Sequence, residues 1–389
     1  MKSPQLLIRG RIFDGVDDRG PGSIGIADEQ IVRVHYGPDA PADSSADVVD
    51  FGDQLITPGL VDVHSHGGGG AAFGLDPAPA LALHRAHGTT TMIASLVSQS
   101  LDELERQLRM LTPLVAAGEL AGVHLEGPWL APGKKGAHPL EMLRAPARAD
   151  VIRLLDAATL PDGSGSAVKM VTLAPELEGG IAAVRLLAER DVVAAVGHTD
   201  ADLATTQAAI EAGATGATHL FNAMPPLHHR HPGPILGLAA DDRVWLELIA
   251  DGAHVQLDLV AETIKRYGDR VVLVTDAMAA AGQPDGDYML GDLAVRVTDG
   301  VARLVEGGAI AGSTLILDVA VRNCIRVGVD WRQALRAATS LPARYLDLDA
   351  GQLLPGRLAD LVVWDADWRP MRVMRHGQWL PAAGAAQSA

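Results

Sequence analysis

Two histidines two residues apart, His64 and His66, follow a short apolar segment and precede four glycines at residues 67–70. If the apolar segment is a β-strand, residues two apart point to the same face, so both imidazoles can bind one cation. Neutral imidazole is a common ligand of zinc, iron and related ions. A His-x-His pair alone is a weak signal, because most such pairs are ordinary surface or core histidines.

Four more side chains of these types each end an apolar segment of their own: Glu126, His198, His219 and Asp276. Enzymes built on an α/β barrel have their catalytic residues at the C-terminal ends of the strands. Histidines that only fill the core would not be expected at these positions so regularly. We therefore predict a metal centre. Three or four His and Glu ligands with an open position are typical of a catalytic rather than a structural site.

The chemistry that this centre predicts is hydrolysis of an amide or a related bond. A divalent ion lowers the pKa of water and polarises a carbonyl. Asp276 is the candidate general acid/base, taking a proton from water and passing it to the leaving nitrogen.

The loop after residues 216–219 is a candidate anion site. Asn222 and Arg230 lie in it, and a guanidinium binds phosphate or carboxylate through two parallel hydrogen bonds. On composition alone, a solvated basic loop is an equally good interpretation. His254 ends a later apolar segment and is a candidate ligand, substrate contact or core residue.

The elements that must position these residues alternate between strand and helix. We predict strands at residues 60–64, 89–96, 121–125, 168–173, 192–196, 216–219, 245–250 and 271–275. Helical patterns fill most gaps, at 101–117, 180–189, 201–212 and 257–267. About eight strand–helix repeats predict a (β/α)8 barrel. A doubly wound open sheet is the alternative, but the sequence has neither a Gly-x-Gly-x-x-Gly fingerprint after the first strand nor a phosphate-binding loop.

Both ends of the chain are rich in strand-like segments, at residues 6–13, 23–26 and 30–34 and again at 359–365 and 370–377. We expect residues 1–56 and 350–389 to form one small β-sandwich domain and residues 57–349 to form the catalytic barrel. An insertion at 283–312, hairpin-like at 293–305, predicts a lid or extra hairpin before the final helix at 313–327.

The bulk properties exclude several classes of protein. The net charge of −16 over 389 residues argues against nucleic acid or an anionic membrane surface as the main partner. The single cysteine, Cys324, excludes an intrachain disulfide and is expected to be a buried, inert thiol. Without a membrane-spanning or signal-like apolar segment, a cytoplasmic protein is expected.

These residues resemble the amidohydrolase superfamily and, within it, the N-acetylglucosamine-6-phosphate deacetylase family, nearly end to end. The His-x-His pair marks only the superfamily. The Glu-Gly-Pro-Trp segment at 126–129 and the His-Leu-Phe-Asn-Ala-Met segment at 219–224 are specific to the deacetylases. The other matching segments are 57–67, 134–138, 197–199, 249–254, 274–278, 311–315 and 355–361.

The resemblance implies a homodimeric enzyme that converts N-acetyl-D-glucosamine 6-phosphate to glucosamine 6-phosphate and acetate, in amino-sugar recycling. It implies one or two divalent ions per subunit, zinc or iron. The main ion is then held by Glu126, His198 and His219, and Asp276 is the general acid/base.

The resemblance also implies contacts to the substrate. His138 helps to polarise the acetyl carbonyl, while Asn222, the Ala223 backbone, Arg230 and His254 bind the sugar phosphate, with part of that pocket coming from a neighbouring subunit. Some members replace the His-x-His histidines and hold one ion; both are present here, which leaves room for a second ion at His64, His66 and Glu126. Some relatives carry a cysteine after Glu-Gly-Pro-Trp, which residues 130–133 do not supply.

Three alternatives remain in view. A deacetylase for the galactosamine isomer differs only in how it recognises one epimeric hydroxyl. A cyclic-amide hydrolase bridges two ions with a carboxylated lysine at the end of the fourth strand, whereas Lys169 lies at the start of that segment. A non-catalytic binding barrel would be expected to have lost ligands or the proton carrier, and none is missing. An esterase is disfavoured, because no Gly-x-Ser-x-Gly is present.

Overall fold

A computed structural model describes residues 3–37 and 46–381. In chain order the strands are β1 (Leu6–Phe13), β2 (Asp18–Ala27), β3 (Gln30–Tyr36), β4 (Asp47–Pro58), β5 (Leu60–Asp62), β6 (Gly67–Gly68), β7 (Ala71–Ala72), β8 (Thr89–Leu96), β9 (Gly122–Glu126), β10 (Val168–Leu173), β11 (Val193–Val196), β12 (Ala214–Ala217), β13 (Trp245–Ile249), β14 (Val271–Val274), β15 (Gly286–Leu290), β16 (Leu293–Thr298), β17 (Val301–Leu304), β18 (Leu361–Trp364), β19 (Pro370–Arg375) and β20 (Gln378–Trp379). The helices are α1 (Pro77–Ala86), α2 (Leu101–Ala116), α3 (Arg148–Ala157), α4 (Gly180–Ala188), α5 (Leu203–Glu211), α6 (Gly233–Ala240), α7 (Leu257–Tyr267), α8 (Leu317–Arg326), α9 (Trp331–Ala337) and α10 (Ser340–Tyr345).

The eight predicted central strands form one parallel sheet, in the order β5, β8, β9, β10, β11, β12, β13, β14. These strands are short and apolar, and all residues of β9 and β14 are buried. Burial on both faces is what a barrel covered by helices requires. The prediction of a (β/α)8 barrel is confirmed.

Hydrogen bonds between the last and first strands close the barrel. The backbone N–H of Asp276 donates to the carbonyl of His64 at 2.8 Å. The buried carboxylate of Asp62 accepts from the Thr275 hydroxyl at 2.6 Å and from its backbone N–H at 3.3 Å. Burial raises the pKa of Asp62 to about 6, although the hydrogen bonds from Thr275 act to lower it. Closure therefore brings the ends of β5 and β14 together, and with them His64 and Asp276.

The helix predicted at 313–327 begins later than expected, at Leu317. Ser313 is held in extended backbone, because its N–H donates to the Asp276 carbonyl at 2.7 Å and its hydroxyl donates to the Thr275 carbonyl at 2.6 Å. That helix was also expected to be the final one, which was wrong: α9 and α10 follow it.

Segments from both ends of the chain form a seven-stranded mixed sheet in the order β20, β19, β18, β4, β1, β2, β3. It curves until β3 meets the segment before β18, where Ile31 N–H donates to the Arg357 carbonyl at 2.9 Å. The curved sheet encloses a small aliphatic core that includes Ile8, Ile56 and Leu361, so the predicted terminal β domain is confirmed. Strand β4 was not predicted, because its residues are mostly half-buried or exposed.

The predicted insertion is a three-stranded antiparallel sheet, β15–β16–β17, rather than a simple hairpin. Its buried face packs on Ala137 and Met278, which lie beside the C-terminal ends of the barrel strands. Leu290, at the end of β15, is buried there.

Cys324 is fully buried in α8. Burial raises the pKa of its thiol to about 12, which confirms the prediction of an inert cysteine. In residues 3–37 and 46–381, no helix combines the length and apolar character needed to cross a membrane.

Candidate active site

The metal-type side chains predicted from the strand ends meet around one carboxylate, that of Glu126 at the end of β9. Its Oε1 lies 3.0 Å from Nε2 of His219, 3.2 Å from Nε2 of His198 and 3.6 Å from Nε2 of His64. Its Oε2 lies 3.1 Å from Nε2 of His66. All five side chains are buried, so closure of the barrel brings the ends of four strands, β5, β9, β11 and β12, into one cluster.

Two overlapping groups of ligand atoms share Glu126. One contains Glu126, His198 and His219; the other contains His64, His66, Glu126 and Asp276, and within each group the atoms lie within 4.8 Å of one another. Imidazole nitrogens and carboxylate oxygens suit zinc, iron and related divalent ions. The cluster is able to hold a metal ion.

Three residues of the cluster follow their strands in a left-handed backbone conformation: His198 (φ 47°), His219 (φ 29°) and Asp276 (φ 50°). For non-glycine residues this conformation is uncommon and costs on the order of 1–3 kcal/mol. Such strain is typical of functional sites, and here it coincides with the points where three strands end and their side chains meet.

Hydrogen bonds on the far side of each ring favour metal binding by the near side. The Nδ1 atoms of three histidines face oxygen acceptors: Glu247 Oε2 for His64 (2.9 Å), the Ser95 carbonyl for His66 (3.2 Å) and the Lys134 carbonyl for His198 (2.7 Å). Because these oxygens only accept, the proton of each neutral ring sits on Nδ1. The Nε2 lone pair is then free to face Glu126, as a metal ligand requires.

His138 has the opposite arrangement. Its Nδ1 accepts the backbone N–H of Ser98 at 3.2 Å, so the proton of the neutral ring lies on Nε2. Burial lowers the pKa of His138 to about 4, although the hydrogen bond to Glu126 acts in the opposite direction. This low pKa keeps the ring neutral. His138 therefore donates from Nε2 into the site, where Glu126 Oε2 is 3.5 Å away.

The carboxylates give the cluster a strong attraction for positive charge. Burial alone lowers the pKa of His66, but hydrogen bonds to Asp276 and Glu126 overcome this and raise it to about 9. Burial alone raises the pKa of Asp276, yet the hydrogen bond to His66 and the charge of His64 lower it well below its usual range. Asp276 is thus an ionised carboxylate in a buried site that favours cations.

A cavity of about 380 Å³ opens over the cluster. Three of the predicted substrate-binding residues line it, namely Asn222, Ala223 and His254, and so does Lys134. Nδ1 of His254 lies 2.7 Å from Oδ2 of Asp251. Burial lowers the pKa of His254, but this carboxylate more than offsets it and raises the pKa, which favours a cationic ring beside the cavity.

Arg230 does not reach this cavity in its own chain. It is exposed on the loop between β12 and α6, and its guanidinium contacts Nε2 of His229 at 2.7 Å. The structure thus brings every predicted site residue except Arg230 to one place.

Sequence reasoning missed four residues that support the site: Glu247, Ser98, Lys134 and Asp251. Glu247 had a signal, because it is a lone charge inside the apolar segment Trp-Leu-Glu-Leu-Ile and is completely buried there. Ser98 and Lys134 contribute backbone groups, which no side-chain pattern reveals. Lys169 lies at the start of β10, away from the cluster, and lines a cavity with Thr90 and Asp360.

Comparisons with known proteins agree with this geometry. The model of the amidohydrolase family matches residues 55–380. An N-acetylgalactosamine-6-phosphate deacetylase from Escherichia coli O157:H7 is 38% identical over 337 residues, 84% of this chain and 87% of the relative. An N-acetylglucosamine-6-phosphate deacetylase from Lysinibacillus sphaericus is 36% identical over 325 residues, 80% of this chain and 82% of the relative.

A solved structure extends the similarity to the whole fold. It is a mutant N-acetyl-D-glucosamine-6-phosphate deacetylase from Mycobacterium smegmatis in complex with N-acetyl-D-glucosamine-6-phosphate, with a TM-score of 0.91 and 43% identity. The match covers 97% of this chain and 99% of that one. The chain therefore belongs to the amidohydrolase family, in the group that contains the N-acetylglucosamine-6-phosphate and N-acetylgalactosamine-6-phosphate deacetylases.

Proposed function

We propose that this chain hydrolyses the acetamide of N-acetyl-D-glucosamine 6-phosphate to D-glucosamine 6-phosphate and acetate, a step of amino-sugar catabolism. The observation that carries the proposal is the cluster around Glu126, in which histidine Nε2 lone pairs and the ionised carboxylate of Asp276 converge below a cavity lined by polar and cationic groups. The names of the matched deacetylases support the choice of substrate.

The residues that would hold the main ion are Glu126, His198 and His219, with His64 and His66 available to a second ion that shares Glu126. We propose zinc or iron, since both bind imidazole and carboxylate ligands. When bound, such an ion supplies Lewis-acid chemistry, lowering the pKa of water and polarising a carbonyl.

Asp276 carries the proton in the proposed reaction. Its Oδ1 lies 3.1 Å from Nε2 of His66, so it borders both the cluster and the cavity. As an ionised carboxylate it accepts a proton from water and then gives it to the nitrogen that leaves as the amine.

His138 donates a hydrogen bond from Nε2 to the acetyl carbonyl oxygen. This role follows from its tautomer, which the Ser98 N–H fixes. A neutral N–H donor suits this task, because its hydrogen bond stabilises the negative charge that develops on the carbonyl oxygen in the transition state.

The sugar phosphate is bound at the β12–β13 side of the cavity, by Asn222, the Ala223 backbone and His254. Lys134, in the segment after β9, also lines this cavity and adds a cation, with its Nζ 3.4 Å from Oδ1 of Asp200. Arg230 is exposed on its own chain, which fits a guanidinium that completes the pocket of a neighbouring subunit in a homodimer.

The second candidate substrate is N-acetyl-D-galactosamine 6-phosphate. One matched relative at 38% identity is named for that substrate. The two sugars differ in one epimeric hydroxyl, so the same metal cluster and proton carrier serve both.

We also propose the division of the chain into a β domain, residues 1–56 and 350–389, and a catalytic barrel, residues 57–349. The curved seven-stranded sheet with its own aliphatic core supports it. A cytoplasmic location is proposed for the protein, in keeping with its single buried thiol.

The experiment that tests the function is acetate release from the two 6-phosphates and from unphosphorylated N-acetylglucosamine, with metal analysis of the same sample. We expect faster release from a phosphorylated sugar, and loss of activity after chelation that added metal restores. Equal rates with and without phosphate, or full activity after complete metal removal, would contradict the proposal.

A further inference from the structure

A second and larger cavity, of about 730 Å³, adjoins the one over the cluster. It is bounded by the β6–β7 hairpin, the segment from β8 to α2 and the strand β15, and is named here the β8-side cavity. The two cavities share three lining residues, His66, Val97 and Leu290. A substrate bound at the cluster therefore has free space next to His66, more than its acetyl group would fill.

The lining of the β8-side cavity does not suit phosphate. Among its residues, all of which the structure describes, there is no lysine or arginine, whereas Glu103, Asp287 and Asp292 add carboxylates. Two of the three residues shared by the cavities, Val97 and Leu290, are apolar, and Leu96 next to Val97 also lines the β8-side cavity. A neutral chain is favoured there and an anion is disfavoured.

The position of this cavity in the barrel relates it to one end of the substrate. In the closed sheet β8 is the second strand and β12 the sixth, so the two lie on opposite sides. Asn222 and Ala223 follow β12. In a hexosamine 6-phosphate, C5, which carries the phosphorylated C6, and C2, which carries the amide, lie across the ring. When the phosphate occupies the β12 side, the acyl chain extends towards β8.

We propose that the β8-side cavity binds the acyl chain, and that this enzyme also hydrolyses hexosamine 6-phosphates whose N-acyl group is a longer neutral chain, such as butyryl. The inference rests on the proposed function and widens its substrate class. The reaction is the same hydrolysis: water oxygen bonds to the acyl carbon, the C–N bond breaks, and Asp276 passes the proton to the nitrogen, giving butyrate and the amine.

The test compares N-acetyl- and N-butyrylglucosamine 6-phosphate on the metal-loaded wild type and on Ala72→Phe, which fills the cavity from β7. Ala72→Ser is the matched control at the same position. Ala72 lines the β8-side cavity and not the cavity over the cluster. If Ala72→Phe fails to fold, Met289→Trp on the exposed side of the β15 strand fills the same cavity.

We expect the wild type to cleave both substrates, with kcat/KM for the butyryl substrate at most about tenfold lower, the low end of the 10–200-fold range by which a hydrophobic pocket discriminates one methylene. Ala72→Phe should lower kcat/KM for the butyryl substrate by about tenfold or more and leave the acetyl substrate within about twofold. Ala72→Ser should change neither.

Three results would overturn the inference, and they are distinguishable. Hydrolysis of the acetyl substrate but not the butyryl substrate by the wild type removes the acyl-chain assignment alone. Equal butyryl turnover in the wild type and in folded Ala72→Phe shows that the chain lies elsewhere. Hydrolysis of neither substrate by the metal-loaded enzyme defeats the proposed function and the inference with it.

Discussion

Nδ1 of His64 lies 2.9 Å from Oε2 of Glu247, a carboxylate with no exposed surface in the middle of strand β13. Such a carboxylate–imidazole pair fixes the tautomer of a metal-binding histidine and makes Nε2 a stronger donor. The pair thus links one of the predicted ligands to an acid that lies outside every motif from which the site was predicted.

From this contact we expect Glu247→Gln to weaken metal binding at the His64 side by about 10–100-fold, since loss of an outer-shell carboxylate has that effect in other metal sites. A chelator-competition titration measures it. Glu262→Gln, on the exposed face of α7, where the side chain is 71% exposed, is the control for a general charge effect. Unchanged metal affinity in a folded Glu247→Gln variant would contradict a metal at His64.

Removal of the proposed proton carrier should separate binding from chemistry. Asp276→Asn keeps the size of the side chain but cannot accept a proton, so activity should fall by about 10²–10⁴-fold while metal stays bound. Steady-state turnover and metal content, measured on the same preparation, show whether activity is lost while metal stays bound. Near-normal turnover would show that another group moves the proton.

The two histidines of the His-x-His pair are expected to serve a secondary ion. Glu126, His198 and His219 make a sufficient three-ligand site without them, so a His64→Asn/His66→Asn variant should keep at least one ion and part of its activity. Metal analysis per subunit, together with acetate release, is the measurement. If all metal and all activity disappear, the main ion depends on His64 or His66.

Arg230 provides a test of phosphate recognition. If it completes a pocket on the neighbouring subunit, Arg230→Ala should lose about tenfold or more in kcat/KM on the phosphorylated sugar, because charge-assisted bidentate bonds are strong. Activity on the unphosphorylated sugar should change little, and Arg266→Ala, an exposed cation on α7, is the control. An equal loss on both sugars would point to a role in folding, and size-exclusion chromatography with light scattering reports whether a dimer is present.

The sequence alone determined which residues end the barrel strands. Apolar runs of four to eight residues interrupted by His, Glu or Asp are local patterns, and the C-terminal ends of parallel strands necessarily meet at one face of a barrel. For that reason Glu126, His198, His219 and Asp276 could be grouped before any contact was known. Their predicted proximity is confirmed: Glu126 Oε1 lies 3.0 Å from Nε2 of His219 and 3.2 Å from Nε2 of His198. Asp276 joins them through His66, whose Nε2 lies 3.1 Å from both carboxylates.

Only the tertiary structure decided how each side chain is used. His64 and Glu247 are 183 residues apart in the chain, and the Nδ1 partner of His138 is a backbone N–H forty residues away. Those partners fix which ring nitrogen carries the proton, which separates the ligand-type histidines from the donor His138. Cavity shape and the exposure of Arg230 likewise depend on packing between distant segments, because the free space around a side chain is set by neighbours that no local pattern specifies.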